Sequence, residues 1–370
     1  MILRELTADD LQQSWDLDRL AFGGARGAVA PVPTTRRRAF GAFDDGRLVA
    51  KVALPEYEQW WGGRLVPMTG IAGVATVPDA RGQELVRHLL DLALTEAPEP
   101  LSVLYPTAPA IYRRMGWEIV GSLDTTMLPI GMLPRGSGEV RAAVADDVPA
   151  IAALYDAYAG STNGLLARHG PSFPHGFPSG YGALLDADVV TVAVENGVVA
   201  GYVSYQRDNG YRTDGRLSVA ELLAASPAAM AALLGSLGSW SSVVDSVRWR
   251  GSTQELGLGL GAVVPPPVEV QPWMLRVLDP VAAVAARGFG PGTWSLPLTV
   301  LGSPYRLEVA DGRGVLSAGS GGPSLTGRGF ALLYAGASAG AIVRAGQGSG
   351  NLRELAAAFA GPPPQILDYF

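Results

Sequence analysis

The chain has 370 residues, about twice the size of a typical domain, so two or three domains are expected. Nearly half of the residues are apolar and the mean hydropathy is +0.19, which supplies sizeable cores, and glycine and proline together stay below the level of low-complexity disorder. A net charge of −6 argues against a general nucleic-acid binder and suits a cationic small molecule as partner.

Residues 1–128 read as mixed α/β. Thr7-Ala8-Asp9-Asp10 is a helix-start signal ahead of the helical spacing of Leu11, Trp15, Leu17 and Leu20. Asp45-Gly46 marks a hairpin turn between Phe43 and Ala50, and Trp61-Gly62-Gly63-Arg64 marks a second, joining Lys51–Tyr57 to a strand that starts near Leu65. The strand Ile71–Val77 meets Pro78, and a helix follows with Val86, Leu89, Leu90 and Ala93 on one face. A strand Leu101–Tyr105 leads to a short helix around Tyr112, and Pro129 to Gly138 is a linker by composition. The pattern then repeats. Asp146-Asp147-Val148-Pro149 opens a helix, Val189–Val194 and Val198–Tyr205 flank an Asn196-Gly197 turn, and Leu217–Leu223 precedes a helix over Ala228–Leu237. A third, α+β segment starts near Gln271, with a strand at Met274–Leu278, a helix at Pro280–Ala286, strands at Leu298–Val300, Tyr305–Val309 and Gly314–Ala318, and helices at Phe330–Leu333 and near Leu352–Phe359. It carries no ionisable cluster of its own. No stretch approaches 18 unbroken apolar residues, and Met1 to Leu6 carries charges where a signal peptide is apolar, so a soluble cytoplasmic protein with no membrane partner is expected.

The stretch Gly73 to Arg87 carries the chemistry: a strand, a proline-punctuated turn containing Arg81, then a helix N-terminus. Free N–H groups of a first helical turn form an anion site, and strand peptide groups beside it pair with an extended, amide-containing ligand. Pyrophosphate joined to pantetheine is such a ligand. An ordinary β-turn-α unit with an arginine in its turn fits the same residues.

Together with the doubled α/β pattern, the segment Ala110-Ile111-Tyr112-Arg113-Arg114-Met115-Gly116-Trp117 and the ending Asp368-Tyr369-Phe370, this stretch resembles the GNAT acetyltransferases, and among them the Eis (enhanced intracellular survival) group. The resemblance spans essentially the whole chain. It implies two tandem GNAT-like domains followed by a sterol-carrier-like domain: an acetyl-CoA-binding domain over 1–130, a degenerate GNAT-like domain over 138–270, and the sterol-carrier-like domain over 271–370, ending in a functional C-terminus. It implies acetyl-CoA as cosubstrate, Tyr112 as general acid, the Phe370 carboxylate as general base, and a hexameric assembly. The matching cofactor contacts are Val74, Ala75, Thr76, Arg81, Gly82, Gln83, Glu84, Leu85, Val86, Arg87, Thr107 and Ala108. One position departs from the pattern: Glu84 stands where the group has the glycine that lets the backbone approach the pyrophosphate. A good first-turn helix residue pointing to water is the plain reading of Glu84.

The remaining candidates have simpler readings. A chain without cysteine excludes disulfides, thiolate metal sites and a cysteine nucleophile, and His88, His169 and His175 have no metal-site spacing, so no metal is expected. His88 reads as a surface residue, and His169 and His175 as loop residues in the Gly/Pro-rich stretch to Gly182. Trp60 and Trp61 are candidates for walling an amine by cation–π contact, and packing is the commoner use of such a pair. Arg36-Arg37-Arg38 is a candidate for CoA phosphates or a solvated face. Two function classes follow: an N-acetyltransferase acting on a primary amine of an aminoglycoside-like or polyamine-like molecule, and a catalytically degenerate GNAT-fold ligand-binding protein. A lipid carrier using the last domain is a third, weaker class.

Overall fold

The structure, a computed structural model, describes residues 1–23, 37–136, 138–169 and 187–370. The first copy runs β1 (Ile2–Glu5), α1 (Leu11–Phe22), β2 (Arg37–Asp44), β3 (Arg47–Trp61), β4 (Arg64–Thr76), α2 (Leu85–Thr95), β5 (Leu101–Leu104), α3 (Pro109–Arg114) and β6 (Glu118–Pro129). The second copy runs β7 (Val140–Ala142), α4 (Val148–Gly160), β8 (Val189–Glu195), β9 (Val198–Arg207), β10 (Arg212–Ala224), α5 (Pro227–Gly238), β11 (Val244–Arg250) and α6 (Thr253–Leu260).

The same local chemistry starts both copies. Arg4 grips Asp10 through two guanidinium bonds of 2.7 and 2.8 Å, and Arg141 grips Asp147 through two of 2.6 and 2.8 Å. In each case the aspartate also accepts the backbone N–H three residues earlier, from Thr7 and from Val144, at 2.8 Å. This satisfies an orphan donor and fixes the angle at which the helix leaves the strand. Asp45-Gly46 and Asn196-Gly197 both adopt positive φ, as a two-residue hairpin of primed type requires. On α2 the residues Leu85, Leu89, Leu90 and Ala93 are buried and the opposite face is open, the expected amphipathic stripe.

Among the described residues, twelve strands form one sheet in the order β1-β2-β3-β4-β5-β12-β6-β11-β10-β9-β8-β7, where β12 is Glu269–Val277. The boundary expected at 271 falls inside β12, which lies between β5 and β6 of the first copy and is antiparallel to both. Its residues Trp273, Met274 and Leu275 are all fully buried, as a strand covered on both faces demands. In turn, the distal half of β6 pairs with β11, from Thr125↔Arg250 to Pro129↔Ser246. Each copy thus completes its sheet with a strand from elsewhere in the chain.

The last unit contains α7 (Pro280–Ala286), β13 (Trp294–Val300), β14 (Ser303–Ala310), β15 (Arg313–Ala318), β16 (Ser324–Leu325), α8 (Gly327–Tyr334), α9 (Ala339–Arg344), β17 (Gly348–Ser349) and α10 (Arg353–Ala358). Its five-stranded sheet has the order β15-β14-β13-β16-β17. It shares one hydrophobic core with the first copy, in which Trp61, Met68 and Trp273 join Leu298, Tyr334 and Phe359. Beside this core Arg287 sits among aromatic rings of the last unit. It is fully buried, its guanidinium lies 4.6 Å from the Tyr334 ring centroid and 4.8 Å from that of Phe359, and burial pushes its pKa down to about 10.

Candidate active site

β4 and β5 run parallel and pair from Met68↔Leu101 to Ile71↔Leu104, where β5 ends. β4 continues through Ala72 to Thr76, held on its other side by β3. Its ladder with β3 shifts register between Lys51 and Ala53, opposite Gly73, which has φ +52. The two parallel strands therefore part into a notch. Among the described residues, no strand faces the edge of β4 beyond Ile71, so its peptide groups are open to an extended ligand. Val74, Ala75 and Thr76 form one wall of this notch. The chain leaving β5 forms the other, through Tyr105 to Thr107 and Ala108, before Pro109 starts α3.

At the top of β4, Pro78–Ala80 makes a single 3-10 turn and α2 begins at Leu85. Arg81, Gly82, Gln83 and Arg87 are exposed, Leu85 is buried and Val86 is half-buried, so α2 offers its first N–H groups to the solvent side while anchoring itself through Leu85. A Cβ on Gly82 would meet nothing within 4 Å, which leaves the turn open to close approach. Glu84 is not in the first helical turn as expected but one residue before it, at φ 54 and ψ 22. That left-handed conformation costs a non-glycine residue about 1 kcal/mol or more, which gives the glycine of the resembling group a physical reason. The Glu84 side chain is exposed and forms an ion pair of 3.0 Å with Arg87.

Tyr112 is 6% exposed on α3, with its ring edge-on to Trp117 at 6.1 Å in the cluster that holds Ile71 and Leu104. Burial pushes its pKa up, so the phenol holds its proton at neutral pH. Phe370 packs from a different cluster. Its ring lies over Gly70 and 5.1 Å from the Tyr57 ring, with Tyr105 at 5.8 Å. Gly70 and Ile71 are neighbours in β4 and face opposite sides of the sheet. The two catalytic candidates thus pack into the hydrophobic clusters on opposite faces of this sheet.

The end of the chain is held by charges that sequence reasoning missed. Tyr105 donates its hydroxyl to the Asp368 carbonyl at 3.0 Å, and Arg250 donates to the Leu367 carbonyl at 2.9 Å. Arg168, 1% exposed, donates Nε to the Asp368 carboxylate at 3.1 and 3.2 Å and its two terminal nitrogens to Glu221 at 3.0 and 2.8 Å. The Tyr155 ring lies 3.8 Å from the guanidinium, and Tyr202 donates to Glu221. Burial pushes Asp368 up, only partly relieved by an arginine it shares with Glu221. A signal existed: Arg168 and Glu221 are lone charges in apolar runs, where a buried charge demands a partner.

Trp61 is fully buried against Tyr334 and Trp273, and Trp60 packs beside Gly160, so both serve packing. Arg38 pairs with Glu96 at 3.7 Å, while Arg36 and His175 lie outside the described residues. His88 and His169 are exposed. Among the described residues no group of acidic or histidine side chains is placed to hold a metal, and no helix is long and apolar enough to cross a membrane.

Two acetyltransferase (GNAT) domain models match the chain, one over residues 3–120 and the other over 164–277. A GCN5-related N-acetyltransferase from Kribbella flavida is 30% identical over the whole of this chain and 98% of its own, with a TM-score of 0.80. The chain belongs to the GCN5-related N-acetyltransferase (GNAT) family. Two further structures share its fold end to end: a GCN5-related N-acetyltransferase from Anabaena variabilis (24% identity, TM-score 0.87) and Eis1 from Mycobacterium abscessus (21%, 0.75), each covering all of both chains. No curated protein matches it. As in the GNAT assignment, both α/β copies are acetyltransferase domains, and the second match ends with β12, the strand that completes the first copy's sheet.

Proposed function

We propose that this GNAT protein is an N-acetyltransferase of the Eis type that acetylates a primary amine of a small cationic molecule, aminoglycoside-like or polyamine-like. One observation carries the reading: the open edge of β4 beside the α2 turn, with the chain's own carboxyl terminus packed at its root. The residues present fit acetyl-CoA, because the edge supplies peptide groups for its amides and the turn supplies free N–H groups for its phosphates. Bound there, acetyl-CoA supplies an activated thioester. Val74 to Thr76 on one wall and Thr107 and Ala108 on the other would hold the pantetheine arm. Arg81, Gly82, Gln83 and the backbone from Glu84 through Leu85 and Val86 to Arg87 would hold the diphosphate. Tyr112, kept neutral by burial, is the proton donor for the departing thiolate. The Phe370 carboxylate accepts the ammonium proton, directly or through one water, from the other face of the notch. The net negative charge favours a cationic acceptor. The sterol-carrier-like character of the last unit, a hexameric assembly and a cytoplasmic site belong to the same proposal.

A second reading, a GNAT-fold protein that binds a ligand without turnover, is favoured by Glu84, whose carboxylate stands beside the diphosphate turn. Calorimetry with acetyl-CoA followed by turnover on a panel of amines separates the two. On the enzymatic reading, Tyr112→Phe lowers kcat about 10²-fold with an unchanged acetyl-CoA Kd. A C-terminal extension, which turns the Phe370 carboxylate into an amide, does the same. Binding with no turnover of any amine favours the second reading; equal losses of kcat and affinity in Tyr112→Phe make that tyrosine structural.

A further inference from the structure

In the second GNAT copy β10 and β11 occupy the places of β4 and β5. They pair in parallel as far as Val219↔Trp249 and then part, and β10 shifts register against β9 between Val219 and Glu221, just where the strands separate. The notch so formed is not open. Residues Gln365 to Leu367 lie in it, with the Leu367 carbonyl bonded to Arg250 of β11 and the Gln365 amide donating to Glu255 of α6 at 2.6 Å. What the tail leaves is a small cavity lined by Glu221, Leu223, Arg250, Ser252, Gln365 and Leu367. On the side facing the first copy, Gln365 donates its backbone N–H to the Asn163 carbonyl at 2.8 Å and passes so close to Gly164 (φ +92) that a Cβ there would lie 2.5 Å from the Gln365 carbonyl oxygen.

Glu221, at the shifted register, holds Arg168, and Arg168 holds Asp368. A buried cation shared by two buried carboxylates is a poor way to gain stability, since desolvation offsets most of the Coulombic gain and apolar side chains hold a tail as firmly. It is a good way to fix a position, because only one arrangement satisfies all the donors. Phe370 lies two positions beyond Asp368, a reach of about 7 Å at most. We propose that the second GNAT domain is a clamp for the chain's own C-terminus, its former ligand notch taken by the tail, with Arg168 as the positioning residue that sets where the Phe370 carboxylate stands. This rests on the reading of that carboxylate as the base.

The test uses full-length, N-terminally tagged protein with Asp368→Ala, Asp368→Asn, Arg168→Met and a C-terminal extension. Four quantities are read: kcat, amine KM, acetyl-CoA Kd and the rate at which carboxypeptidase releases Phe370. Asp368→Ala is expected to lose kcat about 10- to 100-fold, the scale for misplacing a group by about 1 Å, with acetyl-CoA Kd within about two-fold. Carboxypeptidase release accelerates at least about ten-fold, since an unclamped tail frays. Asp368→Asn, which still accepts from Arg168, recovers part of both losses. Arg168→Met follows Asp368→Ala if it folds; if it does not, the Asp368 pair decides. Wild-type kcat in Asp368→Ala while the extension abolishes turnover overturns the clamp alone. Wild-type kcat in both overturns the terminal base and the clamp with it. With no amine turned over at all, unchanged release of Phe370 from Asp368→Ala overturns the clamp, and accelerated release supports it.

Discussion

A methyl group placed under the last residue tests the terminus without touching any charge. Gly70 pairs with Val103 in the closed part of the β4–β5 ladder, and the Phe370 ring rests on it. A Cβ built there lies 2.7 Å from Phe370 Cε2, 3.0 Å from Cδ2 and 2.9 Å from Pro55 Cγ. Ordinary contact begins near 3.4 Å, so the ring must retreat by about 0.7 Å. The backbone at Gly70 is in the extended strand, where alanine is at ease, so the strain falls on the packing. Overpacking a core costs about 1–3 kcal/mol. Here the nearest obstructing atom belongs to the terminal side chain, which is able to yield, while Pro55 on β3 has to give by about 0.5 Å; the low end of that range corresponds to a fall in Tm of about 2 °C or less. Catalysis is less tolerant, because a displacement approaching 1 Å at a reacting group costs up to about 10²-fold. Gly70→Ala is therefore expected to lower kcat about 10- to 100-fold and to leave acetyl-CoA Kd unchanged, since the open edge of β4 starts beyond it. Release of free CoA, followed with a thiol-reactive chromophore, reads the rate without background from a cysteine-free chain. A folded Gly70→Ala protein with wild-type kcat would refute the reasoning, because a base at the terminus has to move when the ring beneath it moves.

Glu84→Gly relieves the left-handed strain but adds the chain entropy of glycine, two effects of about 1 kcal/mol that cancel, so Tm stays nearly fixed. It also removes a carboxylate and frees Arg87, so acetyl-CoA Kd should tighten about two- to five-fold at low salt and less at high salt; an unchanged Kd by calorimetry places both side chains beyond the diphosphate. The Arg4 and Arg141 guanidiniums hold Asp10 and Asp147 below the usual carboxylate range. Carboxyls whose folded pKa is depressed add stability that is complete above the unfolded value of about 3.9 and is lost as pH falls through the folded value. The urea midpoint should therefore drop steeply on acidification below about pH 4, and Asp10→Asn with Asp147→Asn should start lower at pH 7 and flatten that limb; parallel acid limbs would remove the pairs from the account.

What was legible in the sequence is what short-range chemistry encodes. Asp45-Gly46 and Asn196-Gly197 dictate their turns, Thr7 to Asp10 and Asp146-Asp147 open their helices, and Leu89, Leu90 and Ala93 give α2 its buried stripe. The order of strand, proline turn and helix within Gly73 to Arg87 was legible too. The strands β6 and β11 were not read: Asp124, Thr125 and Thr126 interrupt the apolar pattern of the first, and arginines 248 and 250 that of the second. The place of β12 was beyond local reading, since Trp273-Met274-Leu275 looks the same whether its partners are β5 and β6 or strands of the last unit. Glu84 kept its outward direction but not its conformation, because helix propensity says nothing about the residue just ahead of a helix that a tight turn feeds.

On the proposed reading of the Phe370 carboxylate as base, the exchange of strands bears on how a chain terminus is held in place. Termini ordinarily fray, and a carboxylate that wanders by an ångström is a poor base. β6 pairs with β12 over its proximal stretch and with β11 over its distal stretch, so one strand is common to the sheets of both GNAT copies. The notch at β4 is tied to β6 through β5 and β12, and the tail's anchors, Glu221 and Arg250, are tied to the same β6 through β10 and β11. Opening the angle between the copies therefore breaks ladder hydrogen bonds on a buried central strand, not a loose domain contact. A hinge between them would uncouple Arg168 from Gly70 and let Phe370 leave the notch. A continuous sheet removes that freedom, and on the proposed clamp reading it gives the second copy a use that needs no cofactor of its own.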